Sequence, residues 1–344
     1  REIAIGVSCG AAVFPEHGQD AAALLRAADS ALFHAKELGR NQLCIYHPGL
    51  LVEASNRFRA EQALRRAIEA GDRILHYQPQ VCLNGKNTTC VEALLRWRQS
   101  DDLIVPAGEF ISVAEQSGLM LVINKWVLEQ AARDVSEWRR NGWTDARVAV
   151  NVSSQQFIAG DFTAEMERLL QRFDLPADAI ELELTEGMLQ TGAITVETLR
   201  GLRMLGIATA LDDFGTGYSS LTSLEQLPLS RVKLDRSVVA EVDWNPRAAS
   251  IARSIIGLCR TLGLQVTVEG VERPNQLDFL VGCGEVSVQG YLVARPDEAS
   301  EIIGVVSGSS ERIVSLLKEA ELSRPDRTSE DADSTVRMLR PRQS

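Results

Sequence analysis

Short apolar runs of strand character recur along this chain and alternate with longer stretches of helical spacing. The runs are HYQPQV (76–81), VEALLRW (91–97), ARVAVNVS (146–153), AIELELTE (179–186), IATALDDF (207–214), RVKLD (231–235) and LQVTVEGVE (264–272). Between them, INKWVLEQAARDVSEWRRNG and AASIARSIIGLCRTLG place apolar residues at helical period, and each is closed by Gly. Strands that alternate with helices over about 230 residues pair most readily in parallel, because the helix is the crossover a parallel pair needs. A barrel of such units fits the length.

Two shorter segments flank that region. Residues 3–14 read as a strand or hairpin arm, and 20–38 as a helix with Leu24, Leu25, Ala28, Ala31 and Leu32 at helical spacing. Gly39 stops the helix and NQLCIY makes a last short strand, a small α/β unit too short for a robust core of its own. A helical connector from Asn56 to Ala70 ends at Gly71. Beyond Gly304, ERIVSLLKEAEL reads as one more helix and the polar remainder as a mobile tail. The expected organisation is therefore 1–47, a small α/β fragment; 48–62, a helical linker; 63–303, the barrel; and 304–344, helix and tail.

Charge and cysteine usage narrow the chemistry. With 36 Lys and Arg against 47 Asp and Glu, the net charge of −11 argues against a nucleic-acid polymer or an anionic membrane as partner. No apolar run approaches the ~18 residues needed to span a bilayer, and the strand-like opening at Arg1 shows no signal peptide. Cys9, Cys44, Cys82, Cys90, Cys259 and Cys283 form no CxxC pair and read as thiols of a reducing, cytoplasmic compartment. Whether a parent protein is anchored to a membrane through a region before Arg1 stays open. His17, His34, His47 and His76 are dispersed, so any metal must be held by oxygen.

Strand parity supplies such oxygens. In IELEL the apolar Ile180, Leu182 and Leu184 take the helix-facing side, which turns Glu181 and Glu183 toward the barrel axis. The same rule turns in Glu92 and Arg96, Asn151 and Ser153, Asp212, Lys233 and Asp235, and Glu269, with Asp213 at a strand end. These residues lie toward the C-terminal ends of their runs, the active face of barrels of this type. Glu92, Glu183, Asp212, Asp213 and Glu269 carry five negative charges, against which Lys233 and Arg96 return two. Clustering them uncompensated costs several kcal/mol per ion, or forces protonation. Divalent cations supply the missing charge, and oxygen ligands select magnesium, manganese or calcium. Gly215 and Gly217 in DDFGTGYSSL (212–221) then read as a loop shaping a metal site, with Thr216, Ser219 and Ser220 as hydroxyl donors.

EALLRW (92–97) resembles the signature of the EAL family of bacterial cyclic di-GMP phosphodiesterases. The resemblance runs in order through YQP (77–79), NVS (151–153), ELTE (183–186), DDFGTGYSSL, KLD (233–235), VEGVE (268–272) and QGYLVARP (289–296). Upstream, AADSALFHAKELGRN resembles the C-terminal end of a GGDEF domain whose signature part is absent, which implies no cyclase activity and a chain cut from a longer one.

The resemblance implies a modified TIM (β/α)8 barrel with one antiparallel strand and hydrolysis of cyclic di-GMP to linear pGpG using two Mg2+ or Mn2+ ions. It implies that Glu92, Asn151, Glu183 and Asp212 hold one metal, with Asp212 bridging to a second held by Asp213 and Glu269. Lys233 would position or deprotonate the attacking water, Glu186 would brace the DDFGTG loop, and Glu272 would complete the shell. Gln78, Leu95, Arg96, Asp235 and Gln289 would meet the dinucleotide, and a homodimer through the barrel is expected. For Arg96 a structural ion pair with one of the acids is an equal alternative. Two departures stand out. Arg273 replaces the family's usual Thr and reads as a surface change, and GCGEVSVQG places Ser287 and Val288 as a two-residue insertion before Gln289. An even insertion preserves parity, so Gln289 either still faces inward or is displaced along the axis. The alternatives are a catalytically silent cyclic di-GMP receptor and a metal phosphodiesterase of another substrate.

Overall fold

The computed structural model describes residues 6–37, 41–83, 90–99, 103–158, 161–189, 193–216, 224 and 227–323. They fall into two compact units, one comprising 1–74 with 96–123, the other 75–95 with 124–344.

In the first unit, β1 (Cys9–Ala11) pairs in parallel with β2 (Leu43–Ile45), and helix Ala21–Glu37 crosses between them. The helix buries Ala27, Ala31 and Ala35, one small residue per turn, so it packs close. A Cβ on Gly10 would stand 2.1 Å from the Ala28 carbonyl oxygen, which explains glycine there. Leu25, expected on the packed face, is 70% exposed, because the alanine stripe rather than the leucines faces the strands. Helix Gly49–Ala70 runs through the expected linker and stops where Gly71, at φ +80°, donates its N–H to Ala67. Of β3 (Arg73–Cys82) and β4 (Cys90–Arg98), each gives one end to this unit, where Arg96–Arg98 pairs antiparallel with β5 (Ile104–Pro106).

The second unit is a closed eight-stranded barrel. Its ring runs β3, β11 (Ser287–Val288), β10 (Gln265–Val268), β9 (Arg231–Leu234), β8 (Ala208–Phe214), β7 (Ile180–Thr185), β6 (Arg147–Asn151) and β4, which pairs back to β3. Neighbours are parallel from β4 round to β11, whereas β3 runs antiparallel to β11. One antiparallel strand in an α/β barrel is what the resemblance implied. A short strand, β12 (Asp297–Glu298), pairs antiparallel with Tyr77 and His76 of β3.

Parity holds as read. Val148, Val150, Ile180, Leu182, Leu184, Val232 and Val268 are completely buried on the helix-facing side. Helix starts are capped locally: Asp161 accepts from Ala164 N–H, and Asn245 from Arg247 and Ala248 ahead of helix Pro246–Thr261. Tyr77, on β3, donates its hydroxyl to Asp134 of helix Met120–Arg140 and meets the Trp138 ring edge-on at 4.7 Å. Among the described residues no helix is long and apolar enough to cross a membrane.

Candidate active site

The inward side chains at the C-terminal strand ends converge on Lys233, which has no solvent exposure. Its Nζ lies 2.7 Å from Glu269 Oε1, 2.9 Å from Glu183 Oε2, 3.1 Å from Asp212 Oδ1 and 3.3 Å from Glu92 Oε2. Five strands thus contribute to one cluster. Burial alone would lower the Lys233 pKa, but Glu183, Glu92, Asp212 and Glu269 outweigh it and hold it well above the ordinary value. Burial pushes Glu183 well above the carboxylate range, with Glu92 adding repulsion. Glu269 is raised to about 7, mainly by burial. In Glu92 burial is overcome by Lys233 and by the hydrogen bond from Gln289, and the pKa falls below the usual value.

Neutral side chains fix the orientation of Glu92. Asn151 Nδ2 donates to its Oε1 at 2.9 Å, and Gln289 Nε2 donates to its Oε2 at 2.6 Å. Gln289 also donates to Gln78 Oε1 at 3.0 Å, while Gln78 Nε2 donates to the Ala294 carbonyl. The extra residues Ser287 and Val288 make up β11 itself, paired with Thr267 and Val268 on one side and with Cys82 and Val81 on the other. Gln289 therefore faces the cluster.

Asp213 needs more than alternation, since strict parity would turn it away from Asp212. The β8–β9 register shifts between Leu211 and Phe214, and Asp213 takes φ +56°. This irregularity brings consecutive carboxylates to one place, in a left-handed conformation that Asp tolerates. Oxygens of Asp212, Asp213 and Glu269 lie within 4.8 Å of one another. Burial, then the Asp212 charge, raises the Asp213 pKa.

The donor set suits hard divalent cations. Glu183 Oε2 and Asp212 Oδ1 are enclosed and stand near Lys233 without hydrogen-bond geometry, so each keeps acceptor capacity for another positive partner. Histidine and thiolate are absent from the cluster, in line with oxygen coordination. A cavity of about 410 Å3 opens over it, lined among others by Gln78, Glu92, Asp212, Asp213, Glu269, Glu272 and Gln289.

The remaining expected residues stand outside the carboxylate cluster. Asp235 accepts from Ser237 N–H and caps the short helix Arg236–Val239, so its carboxylate is engaged by backbone. Glu272 is exposed on the cavity wall, and Glu186 opens the short helix after β7. Leu95 closes the stretch of β4 that belongs to the barrel unit, whereas Arg96 belongs to the first unit. Residues 217–221 of the DDFGTGYSSL segment lie outside the described residues. Parity reading missed Gln80, whose Nε2 reaches Glu183 Oε1 at 3.5 Å, and Arg236, which lines the cavity. Gln80 was legible as the next inward position after Gln78.

Glu181 turns inward as read but lies one layer below the cluster, between Arg231 Nε at 2.9 Å and Arg147 Nη2 at 3.1 Å. A second cavity of about 430 Å3 opens there, at the N-terminal strand ends. Arg231 is spent on Glu181, Thr267 and Gln265, which leaves the chemistry with the carboxylate cluster. Arg273 lies at the surface as read, and its guanidinium binds both oxygens of Asp243.

Barrel and cluster together define an α/β-barrel protein whose acidic, oxygen-only centre lies at the C-terminal strand ends. The EAL domain profile matches residues 61–296, and the chain belongs to that family. It is 36% identical over 308 residues to the Pseudomonas aeruginosa bifunctional diguanylate cyclase/cyclic di-GMP phosphodiesterase MucR, covering 89% of this chain and 45% of that protein. It is 36% identical over 296 residues to the Escherichia coli cyclic di-GMP phosphodiesterase PdeR, covering 86% and 44%. The chain thus spans less than half the length of these relatives. Among solved structures, the MucR phosphodiesterase in complex with c-di-GMP superposes with a TM-score of 0.67 at 37% identity, over 71% of this chain and 99% of that one. The EAL domain of Mycobacterium smegmatis DcpA gives 0.59 at 34% identity, over 69% and 98%.

Proposed function

We propose that this chain hydrolyses cyclic di-GMP to linear pGpG. The observation that carries the reading is the convergence of Glu92, Glu183, Asp212 and Glu269 on one buried lysine beneath an open cavity. The names of MucR and PdeR and the c-di-GMP complex of MucR support the substrate.

Glu92, Asn151, Glu183 and Asp212 would hold one Mg2+ or Mn2+, and Asp212, Asp213 and Glu269 a second. When bound, the pair supplies Lewis-acid charge for an in-line displacement and acidifies water. The chain's own residues prepare that reaction. Asn151 and Gln289 lock the Glu92 carboxylate, so its ligand geometry is set before substrate arrives. As the ammonium that Glu183, Glu92, Asp212 and Glu269 maintain, Lys233 Nζ would donate to and orient the attacking water; taking a proton from that water would require the neutral amine. Gln78 and Gln289 line the cavity from adjoining strands and offer amides to the dinucleotide.

The test is incubation with cyclic di-GMP and Mg2+ or Mn2+, following pGpG by chromatography beside Glu92→Ala. Metal-dependent pGpG that vanishes in the variant is the expected result; intact nucleotide that is bound and never cut makes the chain a receptor. The receptor alternative drew on the insertion before Gln289, and the position of Gln289 against Glu92 removes that motive.

We read residues 1–47 as the closing part of a GGDEF domain. The MucR alignment extends beyond 61–296, and that relative's name includes diguanylate cyclase, which support this assignment.

A further inference from the structure

Two loops wall the cavity on one side. The loop after β9 begins with Asp235 and Arg236 and continues to Asn245; the loop after β10 carries Glu269, Gly270 and Glu272. They touch directly, for a Cβ on Gly270, at φ +64°, would lie 2.3 Å from Arg236 Cβ. Two side chains tie them further back. Gln276, 1% exposed, accepts at Oε1 from the N–H groups of Glu272 (2.9 Å) and Arg273 (3.0 Å). Its Nε2 donates to the Val239 carbonyl at 2.9 Å. Arg273 spans the same gap: Nε to Asp243 Oδ2 at 2.9 Å, Nη2 to Asp243 Oδ1 at 3.0 Å, and Nη2 to the Ala240 carbonyl at 2.6 Å. Its guanidinium lies 4.7 Å from the centre of the Trp244 ring.

The Asp243 side chain is 6% exposed and that of Arg273 40%, so the pair lies at the surface with its carboxylate covered, and its bidentate, ring-stacked geometry sets it apart from an ordinary surface ion pair. Neither Arg273 nor Asp243 is among the cavity-lining residues. Any effect on substrate must therefore pass through the loops they join.

We propose that Arg273 is a positioning residue that clasps the β10 loop to the β9 loop and so holds the Arg236–Gly270–Glu272 wall in its substrate-binding form. The consequence for kinetics rests on the cyclic di-GMP reading above.

The test combines steady-state kinetics with amide hydrogen exchange on Arg273→Thr, Arg273→Lys, Asp243→Asn and the double variant Arg273→Thr/Asp243→Asn. Losing one charge-assisted pair is expected to raise KM by about three- to tenfold with kcat changed less than about twofold. Lysine cannot restore the fork and should behave like threonine. The double variant should be no worse than either single one. In chelator, exchange should quicken at 236–243 and 270–273 while the barrel strands keep their protection. Unchanged KM in Arg273→Thr, or protection lost evenly across the barrel, would overturn the proposal. If the wild type cuts no cyclic di-GMP, the functional reading fails by itself, and the exchange data still decide whether the clasp exists.

Discussion

Gln289 Nε2 donates to Glu92 Oε2 at 2.6 Å, joining two barrel strands across 197 positions of sequence. Glu92 thus has one oxygen held by Gln289 and the other by Asn151, which makes its direction a property of three strands rather than of its own rotamer.

Gln289→Ala should therefore cut pGpG formation by about ten- to a hundredfold, the worth of one hydrogen bond to a charged group. Circular dichroism should report an unchanged fold, and a titration with Mn2+ should show a higher concentration needed for half-maximal rate. Equal rates in variant and wild type would remove Gln289 from the machinery.

Lys233→Met takes the one cation from among four carboxylates. In chelator the variant should be destabilised by about 3–5 kcal/mol, since buried acids are left uncompensated. Added Mn2+ should raise its melting temperature more than that of wild type, and turnover should be lost. Differential scanning fluorimetry with and without Mn2+ reads both effects.

The Glu269 carboxyl is raised to about 7 in the folded chain, above its unfolded value of 4.5. The folded state therefore holds this proton more tightly than the unfolded state. Its contribution lowers stability as pH climbs from about 4.5 to about 7, then levels off. Glu183, also raised, acts in the same direction. In chelator, the melting temperature of wild type should fall across that window more steeply than that of Glu269→Gln. Because cations compete with this proton, half-maximal Mn2+ should decrease as pH rises through 7.

Glu181→Gln separates the two inward layers. Glu181 is buried between Arg147 and Arg231, so its neutralisation leaves buried guanidinium charge and should cost about 3–5 kcal/mol. Activity per folded molecule should hold within about twofold, because the residue stands a full layer from the cluster. Urea denaturation beside pGpG assays at low temperature tests this. A loss of rate as large as that of Glu92→Ala would place Glu181 in the site after all.

By itself the sequence determined the barrel and most of the cluster. Strand–helix alternation is a local pattern, and period two along IELEL or RVKL decides which side chains turn inward whatever the rest of the chain does. Those two rules place Glu92, Asn151, Glu183, Asp212, Lys233 and Glu269 on the axis side. Only the tertiary structure decided depth and pairing. Glu181 and Glu183 share a parity, yet one is held by arginines at the base and the other by Lys233, because strand stagger sets height along the axis. Asp213 joins Asp212 through an irregularity in the β8–β9 ladder, which exists only where two strands meet. Gln289 returns to Glu92 because the extra residues before it form a strand held on both sides, and that pairing is made across the barrel. The Arg273 clasp was hidden for the same reason: its partners Asp243 and Ala240 lie on another loop, brought near by the ring of strands.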